Sequence, residues 1–110
     1  MSGSILRGRD LTADQTLDCD VCIIGSGAGG SVLAAGLAEA GRDVVVLEAG
    51  SWLTRRDFAL HESEAFINLY QERGGRSTAD RAITVLQGKS VGGSTTINWT
   101  TCFRLSLIHI

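Results

Sequence analysis

Hydrophobic residues are concentrated in a few short runs along this chain, and the longest ordered alternation of runs lies between positions 21 and 50. Val21, Cys22, Ile23 and Ile24 form an apolar run of strand length, the kind that suits a parallel strand buried on both faces. Gly25 ends it. From Gly30 to Ala40 the residues are small or good helix formers, with Val32, Leu33 and Leu37 available for packing and Ala34, Ala35 and Ala38 allowing close approach to a sheet. Gly41 is a helix stop, and Val44, Val45, Val46 and Leu47 form a second buried strand. The pattern predicts a βαβ unit with a parallel sheet. Before it, residues 1–18 are polar. After it, residues 51–80 mix charge with aromatic residues, and Phe58, Ala65, Phe66, Leu69 and Tyr70 are placed to turn one side of one or two short helices inward. A third apolar segment starts at Ile83 and runs into a loop rich in glycine, serine and threonine.

The turn between the first strand and the helix carries the chemistry. Gly25, Gly27 and Gly30 stand at the spacing G-x-G-x-x-G. The first allows the tight turn, the second lets a pyrophosphate approach the backbone, and the third lets the helix pack closely on the strand. Glu48, at the end of the second strand and eighteen residues beyond Gly30, is positioned to accept hydrogen bonds from an adenosine ribose, and it would repel a 2′-phosphate. The expected ligand is an adenine dinucleotide, FAD or NAD. An ordinary strand-to-helix turn without ligand is the plain alternative.

Composition narrows the class. The 110 residues allow one small domain at most, and a doubly wound sheet needs more strands than the pattern supplies. The net charge of −2 and the lack of a basic run give no reason to expect nucleic acid or an anionic membrane. No stretch is long and apolar enough for a signal peptide or a membrane span, so the cytoplasm is the expected compartment. Three cysteines, an odd number, fit a reducing environment, and Cys19 and Cys22, three apart at the first strand, face opposite sides as small packing residues. No metal-ligand cluster is present. His61 has no partner visible in sequence and reads as a surface residue, as do Arg55 and Arg56. Gly88, Lys89 and Ser90 imitate the end of a P-loop, but the position that must be glycine is Ile83. Asn98, Trp99 and Thr100 match the N-glycosylation pattern without a secretion signal to support it.

Three stretches, DVCIIGSGAGGSVLAAGLAEAG, VVVLEAG and LQGKSVGGSTTINWTTCFR, together resemble the N-terminal part of the glucose-methanol-choline (GMC) oxidoreductases, FAD-dependent enzymes that oxidise alcohols. The resemblance spans residues 19–104. It implies an incomplete, Rossmann-like α/β FAD-binding domain belonging to a larger two-domain flavoenzyme. It also implies that Gly25, Gly27, Ala28 and Gly30 line the pyrophosphate, that Glu48 holds the ribose, that Val91, Gly92, Gly93 and Ser94 pass along the flavin and pyrophosphate, and that Asn98, Trp99 and Thr100 lie beside the isoalloxazine ring. The second motif favours FAD over NAD. Some family members attach FAD through a histidine just before this asparagine, and Ile97 stands there, so non-covalent FAD is expected. The family's proton-accepting histidine lies near the far C-terminus and has no counterpart here, which implies that these residues alone are inactive and contain no catalytic residue.

The end of the chain departs from the family. Leu105 to Ile110 is the translation of CTG TCT CTT ATA CAC ATC, the mosaic end of a transposon-based sequencing adapter, so residues 105–110 are expected to be non-native and His109 without meaning. The absence of proline, where about five would be average, points the same way. Two other readings stay open: a different FAD or NAD enzyme with the same βαβ start, and a non-catalytic binding protein on a flavoprotein-like scaffold. The alcohol, the electron acceptor and the oligomeric state are not encoded in any motif present.

Overall fold

The computed structural model describes residues 3–58 and 61–98; Trp99, Thr100, Cys102 and the hexapeptide 105–110 lie outside the described residues. Two strands, β1 (Val21–Ile24) and β2 (Val44–Leu47), are joined by helix α1 (Ala28–Glu39), and a second helix, α2 (Glu62–Leu69), follows. The strands pair in parallel, with Val21 opposite Val44 and Ile24 opposite Leu47. One further bond, from the Gly25 N–H to the Leu47 carbonyl at 2.7 Å, carries the ladder to the start of the turn. At the other end the Asp20 carboxylate accepts the Asp43 N–H at 3.0 Å and fixes the register where the strands begin. This is a small Rossmann-like α/β unit with the topology expected from the apolar runs.

Helix α1 starts two residues earlier than its apolar pattern indicates, because Gly27 serves as its N-cap and Ala28 and Gly29 join the first turn. It ends in a Schellman motif. The Arg42 N–H reaches the Leu37 carbonyl and the Gly41 N–H the Ala38 carbonyl, both at 3.0 Å, while Gly41 takes φ +81°.

Burial departs from expectation. Both strands were expected to be covered on both faces, yet Ile23 is the buried residue of β1 and Ile24 is 88% exposed; Leu47 is 51% exposed. A parallel sheet is normally covered on two sides. Among the described residues a single crossover helix packs on these two strands, so the side chains that face away from it meet water. Val32 and Leu33 on α1 are likewise open.

The second half of the chain is held by irregular backbone pairing. Residues 83–91 form an extended strip that bonds in turn to three earlier segments. Val85 donates to the Arg76 carbonyl at 2.8 Å, Lys89 to that of Leu69 at 2.6 Å, and Val91 to that of Ser51 at 3.1 Å. Leu69 is buried where α2 meets this strip, and the Phe66 and Tyr70 rings stack beside it with centroids 4.7 Å apart. Phe58, expected to turn inward with these residues, stays exposed because it precedes α2 in an irregular turn. The strip's last contact, at Ser51, lies three residues beyond Glu48 and brings the second glycine loop to the βαβ unit.

Candidate functional site

The β1–α1 turn shows three different reasons for its glycines. Gly25 adopts φ +91°, where an L side chain is strained. A Cβ on Gly30 would overlap the Gly25 carbonyl oxygen and lie 3.1 Å from its carbon and 3.3 Å from Ile23 Cγ2, so helix and strand can approach only here. Gly27 differs. Its φ of −67° and ψ of −170° suit any residue, and a Cβ there would meet nothing within 4 Å. Neither its conformation nor its neighbours within the chain call for glycine. A side chain there would occupy open space at the N-cap of α1.

That first turn is an electropositive end. The N-cap provides no side-chain hydrogen bond and the turn carries no acidic residue, so the leading N–H groups and the helix dipole face outward uncompensated. Such an end suits a phosphate group.

The second glycine loop closes on the same point. Gly92 takes φ +91° and Gly93 φ +56°, bending Gly93–Thr95 into a single 3-10 turn. A Cβ on Gly93 would stand 3.0 Å from Gly27 Cα. The Gly92 N–H donates to Ser26 Oγ at 3.0 Å. Two motifs more than sixty residues apart thus come into contact.

Glu48 stands beside them. Its Oε2 accepts the Ser26 N–H at 2.9 Å and the Ser26 hydroxyl at 2.7 Å, and its Oε1 accepts the Gly50 N–H at 2.7 Å. Partial burial works to raise its pKa, but the bonds from the Ser26 hydroxyl and N–H and from the N–H groups of Gly50 and Ala49 outweigh it and hold the carboxyl below the ordinary 4.5. The group is an anion at neutral pH with its donors supplied by the two turns.

The structure therefore brings Gly25, Gly27, Ala28, Gly30, Glu48, Val91, Gly92 and Gly93 together, and it divides the second loop between two spaces. Val91 shares with Ser26 and Glu48 a cleft of about 1130 Å³ along β2, whose opposite wall is the N-terminal segment with Arg7 and Arg9. Ser94 and Asn98 instead line a separate cavity of about 410 Å³ with Tyr70, Leu86, Thr95 and Ile97. Ser94 Oγ also accepts the Gly88 N–H at 3.0 Å, which ties the loop to the strip before it. Trp99 and Thr100, expected beside the isoalloxazine ring, fall outside the described residues. The polar leader 1–18 is more than a solvated tail, because its residues 3–9 wall the larger cleft. His61 is exposed at the N-cap of α2, away from both spaces. Cys19 and Cys22 are free thiols, and no group of metal ligands occurs among the described residues.

Sequence reasoning missed two residues. Ser26, 7% exposed, occupies a variable position between two motif glycines, where nothing marks it as special. Tyr70 gives no signal beyond its helical phase.

Two family models match separate stretches of the chain. A family model described as NAD(P)-binding Rossmann-like domain matches residues 23–56, and one described as GMC oxidoreductase matches residues 66–107. A long-chain-alcohol oxidase of Arabidopsis thaliana is 42% identical over 86 residues, covering 78% of this chain and 12% of its own length. A GMC-type oxidoreductase of Mycobacterium tuberculosis is 44% identical over 90 residues, covering 80% of this chain and 14% of its own. A gamma-glutamylputrescine oxidoreductase of Escherichia coli is 55% identical, but over only 38 residues, 34% of the chain. The chain thus spans about an eighth of the length of the GMC relatives it matches. The 38-residue match is about as long as one βαβ unit, whereas the GMC likeness takes in most of the chain. At 42% and 44% identity over about four fifths of its residues, the chain belongs to the GMC oxidoreductases.

Proposed function

We propose that these residues form the FAD-binding N-terminal part of an alcohol-oxidising flavoenzyme that holds its cofactor non-covalently. The observation that carries this reading is the contact between the two glycine loops, Gly93 against Gly27 and Gly92 on Ser26, at an uncapped helix end beside an anionic Glu48. A dinucleotide of the FAD type has a phosphate bridge for the helix end and a ribose for the carboxylate. The second loop would then hold its ring system. The open space in front of Gly27 and the free lead N–H groups of α1 fit such a group.

In this reading Ala28, Gly29 and Gly30 direct their N–H groups at the pyrophosphate, and Glu48 accepts from the ribose and disfavours a phosphate on it. Gly92 and Gly93 fix where the ring begins, while Ser94 and Asn98 line the space beside it. FAD, when bound, would supply the two-electron acceptor for a hydride from the carbinol carbon, and the hydroxyl proton would go to a base. The described residues place no histidine at either space, so that base comes from elsewhere in the whole protein, and residues 19–104 alone bind without catalysing. Several matched relatives carry the name long-chain-alcohol oxidase, which makes long-chain alcohols the first substrates to assay.

The test is to purify the protein from its native gene, record its visible spectrum, and add long-chain alcohols without oxygen. The expected result is a flavin spectrum that bleaches with alcohol and a pigment released into the supernatant on denaturation. A colourless protein, or one reduced only by a nicotinamide substrate pair, refutes the proposal. Replacing Gly93 by leucine should abolish flavin occupancy; unchanged occupancy would remove the second loop from the site and favour a different dinucleotide enzyme.

A further inference from the structure

Ser26 belongs to neither set of motif glycines, yet it is the covalent neighbour of both Gly25 and Gly27 and the hydrogen-bonded neighbour of Glu48 and Gly92. The direction of its bonds follows from chemistry. A hydroxyl has one proton and two lone pairs, and an amide N–H only donates. The Gly92 N–H therefore gives to Oγ at 3.0 Å, and the Ser26 proton must go to Glu48 Oε2 at 2.7 Å. Amide, hydroxyl and carboxylate form a polarised series in which each bond strengthens the next. The far end of the series is anchored, since the Ser26 N–H also donates to Oε2 and the Gly50 N–H to Oε1. A carboxylate offers about four acceptor sites. Ser26 fills those of Oε2 with its N–H and hydroxyl, while the N–H groups of Gly50, on Oε1, and of Ala49 also bond the carboxylate.

We propose that Ser26 is a positioning residue that couples the two halves of the dinucleotide site. By bonding Oε2 twice it sets the rotation of the Glu48 carboxylate toward a ribose, and through the same hydroxyl it holds the Gly92 loop against Gly27. The inference rests on the flavoenzyme reading for the identity of the ligand, though not for the mechanical link. The loop keeps its own shape through the Gly93 N–H to the Ser90 carbonyl at 2.8 Å and the Thr96 hydroxyl to the Val91 carbonyl at 2.8 Å. Loss of the Ser26 hydroxyl therefore frees the loop to shift as a unit, and a ligand filling the ribose side no longer steadies the ring side.

The test uses the full-length protein freed of cofactor, in wild-type, Ser26→Ala and Ser26→Thr forms. Dissociation constants are measured for FAD and for ADP, which occupies the ribose and pyrophosphate half, together with hydrogen exchange at the Gly92 amide. Ser26→Ala should weaken FAD by tenfold or more, weaken ADP by clearly less, and speed Gly92 exchange relative to Gly41, whose bond is remote. Ser26→Thr, which keeps the hydroxyl, should recover slow Gly92 exchange and most of the FAD affinity. Equal loss for FAD and ADP overturns the coupling, and so does Gly92 exchange that Ser26→Ala leaves unchanged. If wild-type protein binds neither ligand, the flavoenzyme reading fails, while Gly92 exchange in the cofactor-free forms still decides whether Ser26 holds the loop.

Discussion

Replacing Gly27 by alanine separates what the fold requires from what a ligand requires. At φ −67° and ψ −170° alanine is unstrained, and its methyl group meets nothing within 4 Å. Alanine lowers the entropy of the unfolded chain, which stabilises by about 0.4–1 kcal/mol. It is a poorer N-cap than glycine by a similar amount. The two nearly cancel, so the melting temperature should stay within a few degrees of wild type. Binding is different. In the proposed binding mode the pyrophosphate approaches Gly27, and a phosphate oxygen pushed outward by the methyl group loses at least one charge-assisted hydrogen bond worth about 1.5–3 kcal/mol. The FAD dissociation constant should rise about 10- to 100-fold. The assay is titration of cofactor-free protein by calorimetry beside a thermal melt. Gly30→Ala is the contrast: its Cβ overlaps backbone of the turn itself, so about 2 kcal/mol or more of stability should be lost and any binding defect should follow from that. If Gly27→Ala binds FAD within threefold of wild type, the pyrophosphate does not approach Gly27 and the reasoning fails.

Three further outcomes are expected. Gly36 lies in the interior of α1 with nothing within 4 Å of a Cβ, so Gly36→Ala should stabilise by about 0.5–1 kcal/mol in a melt; destabilisation would mean that something covers this helix face. Ser90 is 1% exposed and its Oγ has no hydrogen-bond partner among the described residues. Ser90→Ala should then be neutral or stabilising by about 1 kcal/mol, and a loss larger than that in denaturant unfolding would show that the hydroxyl is bonded. Glu48 has its folded pKa below 4.5, so its contribution to stability is complete above that value and is lost as pH falls through the lower folded value. Melting temperatures of wild type and Glu48→Gln should therefore differ by a constant amount at neutral pH and converge in acid; a difference that grows toward acid would contradict the sign.

The βαβ unit was legible because its determinants are local. Apolar runs of four, a stretch of helix formers and Gly41 each act within a few residues, and the structure returns all three. The extent of burial was not legible. Ile23 and Ile24 read alike in sequence, and which of them is covered depends on what lies across the sheet. The meeting of the two glycine loops was beyond pattern reading for a related reason. It depends on the strip 83–91, whose bonds to Arg76, Leu69 and Ser51 follow no period. Ser26 was invisible because motif spacing weights the glycines and treats what stands between them as filler, whereas a hydroxyl there can accept from Gly92 of the second loop while donating to Glu48.

The open side of the two-stranded sheet also has a meaning in time. At synthesis rates of about 5–20 residues per second, the ribosome takes roughly 6–22 s to deliver a chain of this length. β1 and β2 emerge in the first half of that interval, and Ile24, Leu47, Val32 and Leu33 remain in water even after they have paired and folded. Aliphatic surface beside unpaired strand edges invites association with like chains or capture by chaperones. When these residues are expressed by themselves, the soluble yield in cells should therefore respond to chaperone supply and growth temperature.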